Sequence, residues 1–126
     1  MSKTSKTVLI VEDDLELSQS LQDILADEGY AVRAASNGEE ALTLLPTLGR
    51  PCAILLDIIL PVMSGRELYS VMRADPRLAH IPVVVSTSDP SRAPEGVPVL
   101  RKPVSIARLL ATLASIFPSP HSSKAE

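Results

Sequence analysis

Five side chains in this sequence stand where apolar runs end, and together they could hold a phosphoryl group: Glu12, Asp13, Asp57, Thr87 and Lys102. Three carboxylates brought within a few ångströms repel one another and raise the cost of ionising all of them, so a cation is expected among them. Carboxylate oxygens without Cys or His suit Mg²⁺, which keeps several waters and takes a couple of protein carboxylates plus a phosphate oxygen. Lys102 offers a point positive charge and Thr87 a hydroxyl donor, the groups that would hold phosphate oxygens once Asp57 carried the phosphoryl group. Taken alone, each residue has a plainer reading. An isolated Asp after a strand is as readily a cap as a reactive group, and Asp14 reads as the cap of the helix that follows it.

Convergence of the five requires a particular arrangement of elements. Residues 7–11 are β-branched and aliphatic and stop abruptly at Glu12-Asp13-Asp14. Residues 53–56 form a second aliphatic run, ended by Asp57 and punctuated by Pro61 and Gly65; continuous runs of this kind are buried parallel strands. Further strands are expected over 31–35, 82–87 and 97–101. Helical spacing of apolar residues predicts helices over 15–28, from Asn37-Gly38 to a break at Pro46, over 64–74 and over 106–117. Alternating strands and helices argue for an α/β fold, a doubly wound parallel sheet with helices on both faces and right-handed crossovers. At the carboxyl ends of its strands such a sheet binds ligands, and there Glu12, Asp13, Asp57, Thr87 and Lys102 would meet.

One connection is too short for the pattern. Nine residues, 88–96, separate the fourth and fifth strands and include Pro90, Pro94 and Gly96. Extended, they reach about 30 Å, enough to return along a short strand but not through a helix of several turns. The fourth crossover helix is therefore expected to be absent or a single turn, leaving part of one sheet face uncovered.

With 126 residues the chain suits one domain, expected over 7–117. The segment 118–126 is too poor in apolar residues to pack, and its composition predicts a disordered tail. A formal charge of -3 gives no basic footprint for nucleic acid. Neither a signal peptide nor a membrane-length apolar span is evident, and the single Cys52 cannot form an internal disulfide, so a cytoplasmic setting is expected. Cys52 reads as a small buried hydrophobe, His80 as a loop residue and Tyr69 as half-buried packing.

The segments Val8-Leu-Ile-Val-Glu12-Asp13-Asp14, Asp57 with Pro61 and Gly65, Thr87 after Pro82-Val-Val-Val-Ser, and Lys102-Pro103 together resemble the receiver domain of bacterial two-component response regulators, over nearly the whole of residues 7–117. The resemblance implies a flavodoxin-like five-stranded sheet of order 2-1-3-4-5. It implies that Asp57 accepts a phosphoryl group from a histidine kinase or histidine phosphotransfer protein, in a self-catalysed, Mg²⁺-dependent reaction and not as a conventional enzyme. Asp13 would bind Mg²⁺ directly, Glu12 through water, and Asp57 and the Ile59 backbone carbonyl would complete the protein ligands. Thr87 would swing toward the phosphoryl oxygens, Lys102 would pair with them, and Lys102-Pro103 would be a cis peptide. Ile59 and Asp89 would flank the site and influence loss of the phosphoryl group to water. Leu15, Ser18, Leu21 and Gln22 would lie on the first-helix surface where the phosphodonor docks.

The sequence departs from this family at its output. A rotating aromatic usually stands three residues before the lysine, where Val99 stands here, and the fourth helix is short or missing. Three readings follow: a stand-alone phosphorylated receiver acting on an unknown protein target, a phosphorylation-independent interaction module, or an aspartyl-phosphate hydrolase. The last class wants a second Asp two residues after the first, where Ile59 stands. The uncovered face would serve a homodimer or a partner helix.

Overall fold

A computed structural model describes residues 6–117, and the expected tail at 118–126 lies outside the described residues. The chain runs β1 (Thr7–Val11), α1 (Leu15–Asp27), β2 (Ala31–Ala35), α2 (Gly38–Leu44), β3 (Cys52–Asp57), α3 (Gly65–Ala74), β4 (Val83–Thr87), β5 (Val99–Arg101) and α4 (Ile106–Ile116). The five strands are parallel in the order β2-β1-β3-β4-β5, as expected.

Strand position follows composition. The aliphatic strands β1, β3 and β4 are buried along their whole length and occupy the centre, whereas β2, interrupted by Arg33, and β5, three residues between prolines, form the edges. Within each central strand alternate residues feed opposite layers. Leu9, Val11, Ile54, Leu56, Val83 and Val85 pack with Ala41, Leu45, Leu68 and Met72 on the side of α2 and α3. Val8, Ile10, Ala53, Leu55 and Val84 pack with Leu21, Leu25, Leu109, Leu113 and Phe117 on the side of α1 and α4. Each fully buried Leu or Ile contributes about 1.5–3 kcal/mol, so both layers hold the sheet strongly.

Two strands begin later than the apolar runs suggest. Residues 82 and 98 are prolines, which have no N–H for the ladder; each contributes only its carbonyl, Pro82 O accepting from Ile54 N at 3.0 Å and Pro98 O from Val85 N at 2.9 Å. The second helix ends at Leu44 and tightens into a 3₁₀ turn, Leu45–Thr47, that carries Pro46.

The fourth crossover contains one 3₁₀ turn, Pro90–Arg92, closed by Asp89 Oδ1, which accepts from Ser91 N and Oγ at 3.2 and 2.6 Å. The expected bare sheet face is not found. Ala93 and Val97 of the crossover lie against the sheet, Val85 is 0% exposed, and Arg66 of α3 ties the strap down by donating to Arg92 O at 2.8 Å. An extended segment suffices here because only the short β5 lies beyond β4; Val99, on that edge strand, remains 38% exposed. Cys52 is buried, and burial pushes its thiol up even though Arg50 donates to Sγ at 3.3 Å. His80 is an exposed loop residue and Tyr69 packs half-buried on the core. Among the described residues no helix is long and apolar enough to cross a membrane.

Candidate functional site

Strand register delivers the acidic residues to one edge. Val11 pairs with Leu56, so the next residues, Glu12 and Asp57, emerge side by side; Asp57 pairs in turn with Ser86, and Thr87 with Arg101. Glu12 is fixed at both ends, because its amide donates to Ala35 O at 3.0 Å and its side-chain Oε2 accepts from Asp14 N at 3.1 Å. Asp14 caps α1, its Oδ1 accepting from Leu17 N at 3.1 Å, as read from sequence.

Lys102, the residue after β5, closes the cluster. Its amide donates to Thr87 O at 2.9 Å, its bond to Pro103 is cis, and its ammonium donates to Glu12 Oε1 at 3.0 Å and Asp57 Oδ2 at 3.1 Å. Both carboxylates are almost fully enclosed, Glu12 at 3% and Asp57 at 6% exposure. Burial is the main cause that raises the Glu12 pKa, with the Asp57 charge adding to it; the hydrogen bonds from Lys102 and the Asp14 amide pull it back only in part. For Lys102 burial works downward, but the hydrogen bonds and charges of Glu12 and Asp57 outweigh it and raise its pKa, so it stays an ammonium at neutral pH. Repulsion among the acids is thus real, but desolvation weighs more for Glu12.

Asp13 is exposed, and one carboxylate oxygen each from Glu12, Asp13 and Asp57 lie within 4.8 Å of one another. An all-oxygen set of this kind, open on one side, matches what a small hard divalent cation takes from a protein. Ile59 stands at the mouth, its amide donating to Asp57 Oδ1 at 3.1 Å. Thr87 is buried, but its hydroxyl engages Asp89 and not the Asp57 carboxylate: Oγ1 accepts from Asp89 N at 3.0 Å and donates to Asp89 O at 3.3 Å. On α1, Leu15 is exposed near the site, whereas Leu21 belongs to the core and Ser18 is buried, its Oγ accepting from Gln22 at 3.1 Å. The expected four-residue docking face on α1 is therefore narrower, because helix spacing turns Ser18 and Leu21 inward.

The segment joining β3 to α3 is pinned at both ends. Gly65 N donates to Ile58 O at 2.9 Å, and Ser64 and Glu67 form a reciprocal capping box. Between these anchors Val62 has φ +67°, the left-handed region that β-branched residues avoid, and Met63 N folds back on Pro61 O at 2.7 Å. Such a residue costs on the order of 1–3 kcal/mol and persists where the surroundings over-determine it. A Cβ at Gly65 would lie 2.5 Å from Asp57 O and 2.7 Å from Ile58 Cα, both backbone. Gly65→Ala is expected to cost about 1–3 kcal/mol, read as a lower urea midpoint with an unchanged slope.

Two contributors escaped the sequence reading. Ser86, the cross-strand neighbour of Asp57, is buried in the floor of the site; a serine inside a valine run was the available signal. Gly38 was read only as part of a helix start, yet it touches Met63 of the site loop.

Comparison with known proteins agrees with this fold. A family model described as the response regulator receiver domain matches residues 8–114. The polar-differentiation response regulator DivK of Brucella anthropi is 38% identical over 118 residues, spanning 87% of this chain and 94% of its own. The chemotaxis response regulator CheY4 of Vibrio cholerae superposes with a TM-score of 0.80 at 30% identity, covering 90% of this chain and 100% of that one. A response regulator receiver protein from Pseudomonas putida superposes at 0.81 with 26% identity, covering 90% and 99%.

Proposed function

We propose that this chain, which belongs to the response regulator receiver domain family, accepts a phosphoryl group on Asp57 from a histidine kinase or histidine phosphotransfer protein and signals through protein contact in the cytoplasm. The observation that carries the reading is the Lys102 ammonium held between two enclosed carboxylates, 3.1 Å from Asp57 Oδ2 and 3.0 Å from Glu12 Oε1. A carboxylate oxygen of Asp57 attacks phosphorus, the bond from phosphorus to the imidazole nitrogen breaks, and the imidazole leaves with that electron pair. Lys102 shifts from Asp57 Oδ2 to an oxygen of the arriving group, conserving its charge pairing. Thr87 has to give up Asp89 to reach another of those oxygens.

Asp13, Asp57, Glu12 through water and the Ile59 carbonyl would hold Mg²⁺, which supplies charge neutralisation for the transferring group. Ile59 and Asp89 flank the acyl phosphate and set its exposure to water. Exposed Leu15, Ile59 and Val62 give the mouth an apolar rim on which a phosphohistidine-bearing helix would seat. A downstream protein, or a second copy in a homodimer, would use the crossover face around Val99.

Incubation with acetyl phosphate and Mg²⁺, followed by intact mass measurement, tests the reading. One adduct per chain, dependent on Mg²⁺ and lost in Asp57→Asn, is expected. Absence of any adduct points instead to a phosphorylation-independent interaction module, and repeated turnover of small phosphoesters to a hydrolase.

A further inference from the structure

Between Asp57 and Ser64 the site loop is held at Ile59, whose amide donates to Asp57 Oδ1, and at Leu60, half-buried against the core, but it also carries a strained turn at Val62 whose side chain is 72% exposed and supplies no packing to hold it. Something else over-determines that turn. The contact on its far side is the start of α2: Gly38 N donates to Met63 O at 3.3 Å, and a Cβ at Gly38 would lie 2.8 Å from both Met63 Cγ and Met63 O and 2.9 Å from Met63 Cβ. One of these atoms is backbone, so no rotation of the methionine side chain makes room. Met63 itself packs against the core layer that α2 and α3 share. The loop is therefore wedged between a glycine that cannot be enlarged and a core that does not yield.

We propose that Gly38 and Met63 form a clamp that fixes the position of the Ile59 carbonyl, making Gly38 a positioning residue for the cation site at Asp57. The proposal rests on the Mg²⁺ and phosphoryl reading of that site. Gly38 touches none of the three carboxylates, and it acts through the path of the loop: a shift at Met63 reaches the Ile59 carbonyl through Val62, Pro61 and Leu60, while the Ile59 amide stays on Asp57 Oδ1 and β3 holds Asp57. Ligand-orienting groups of this indirect kind change metal affinity about 10- to 100-fold when removed.

The test measures Mg²⁺ affinity directly, by calorimetry or by amide shifts at Ile59 and Met63, in Gly38→Ala, Met63→Ala and the double variant. Leu44→Ala serves as a stability control, because Leu44 packs on the core at the opposite end of α2 from Gly38. Both clamp variants are expected to weaken Mg²⁺ binding by about tenfold. The double variant should be no weaker than the worse single one, because the two residues make one contact. With acetyl phosphate, the clamp variants should approach the wild-type rate once Mg²⁺ is saturating, so the defect lies in affinity. Wild-type affinity in folded Gly38→Ala and Met63→Ala, or an equal loss in Leu44→Ala, would overturn the clamp. A wild-type chain that binds no Mg²⁺ and takes no phosphoryl group would instead overturn the functional reading beneath it.

Discussion

Asp57→Asn is expected to end phosphoryl acceptance entirely and, without Mg²⁺, to raise stability by about 1 kcal/mol, or roughly 3 °C in melting temperature. Three carboxylates share this corner with one ammonium, and two of them are enclosed. An amide of the same shape keeps an acceptor for the Ile59 amide and costs less to bury than a carboxylate. It loses the pairing with Lys102 at 3.1 Å, but Lys102 keeps Glu12 at 3.0 Å, and Glu12 is freed from the Asp57 charge that helps to raise its pKa. Calorimetric melting checks the sign, and intact mass checks the chemistry. Mg²⁺ then separates the two proteins. A cation that binds only the folded state stabilises it by about 2.7 kcal/mol at a hundred times its dissociation constant, so the wild type should overtake a variant that has lost a ligand. A variant destabilised without Mg²⁺ would mean that the Lys102–Asp57 pair outweighs both burial and repulsion.

How far the sequence carried this picture depends on the range of each signal. Strand positions and the edge at which Glu12, Asp57 and Lys102 meet were legible because the apolar runs of β1 and β3, each ended by a carboxylate, and the short β5, ended by basic residues, are local patterns. The shortness of the fourth crossover was legible from chain length alone, and a single turn, Pro90–Arg92, is what formed. Its consequence was not. Whether an extended strap covers the sheet depends on where Ala93 and Val97 land and on the bond from Arg66 to Arg92 O, twenty-six residues apart in sequence. Side-chain direction was equally hidden. Thr87 was correctly placed at the strand end, but the turn at Asp89 holds its hydroxyl, and nothing in the spacing shows which partner a hydroxyl prefers. The first-helix face misread Ser18 and Leu21 because a position near the site and a position facing it differ by a rotation that only packing decides. Gly38 is the sharpest case. An Asn-Gly pair before two glutamates signals a helix start, and the contact that makes the glycine obligatory lies on another loop.

Lys102→Met is expected to have the opposite thermodynamic sign from Asp57→Asn. The methionine fills a similar volume but leaves Glu12 with only the Asp14 amide and Asp57 with only the Ile59 amide, both still enclosed. Exposed ion pairs contribute about 0–1 kcal/mol and broken buried ones cost about 3–5, so a site open at one edge should lose about 2 kcal/mol at pH 7. The loss should depend on pH. Burial already raises Glu12 above its ordinary value of 4.5, and Lys102 is the first of the groups that pull it back down. Removing that hydrogen bond raises Glu12 further, so the folded variant binds more protons than the unfolded chain across the interval above 4.5. Stability then falls as pH rises through that interval, and the deficit relative to wild type is smaller near pH 4 than at pH 7. Urea midpoints of both proteins at the two pH values measure it. A deficit independent of pH would assign the stabilisation to the lysine's methylene stem. Adding Mg²⁺ should restore most of the stability at pH 7, because a cation among the same carboxylates replaces the missing charge. It should not restore phosphoryl transfer, because a cation held by Glu12, Asp13 and Asp57 does not replace the ammonium donors that Lys102, now on Asp57 Oδ2, brings to the arriving group.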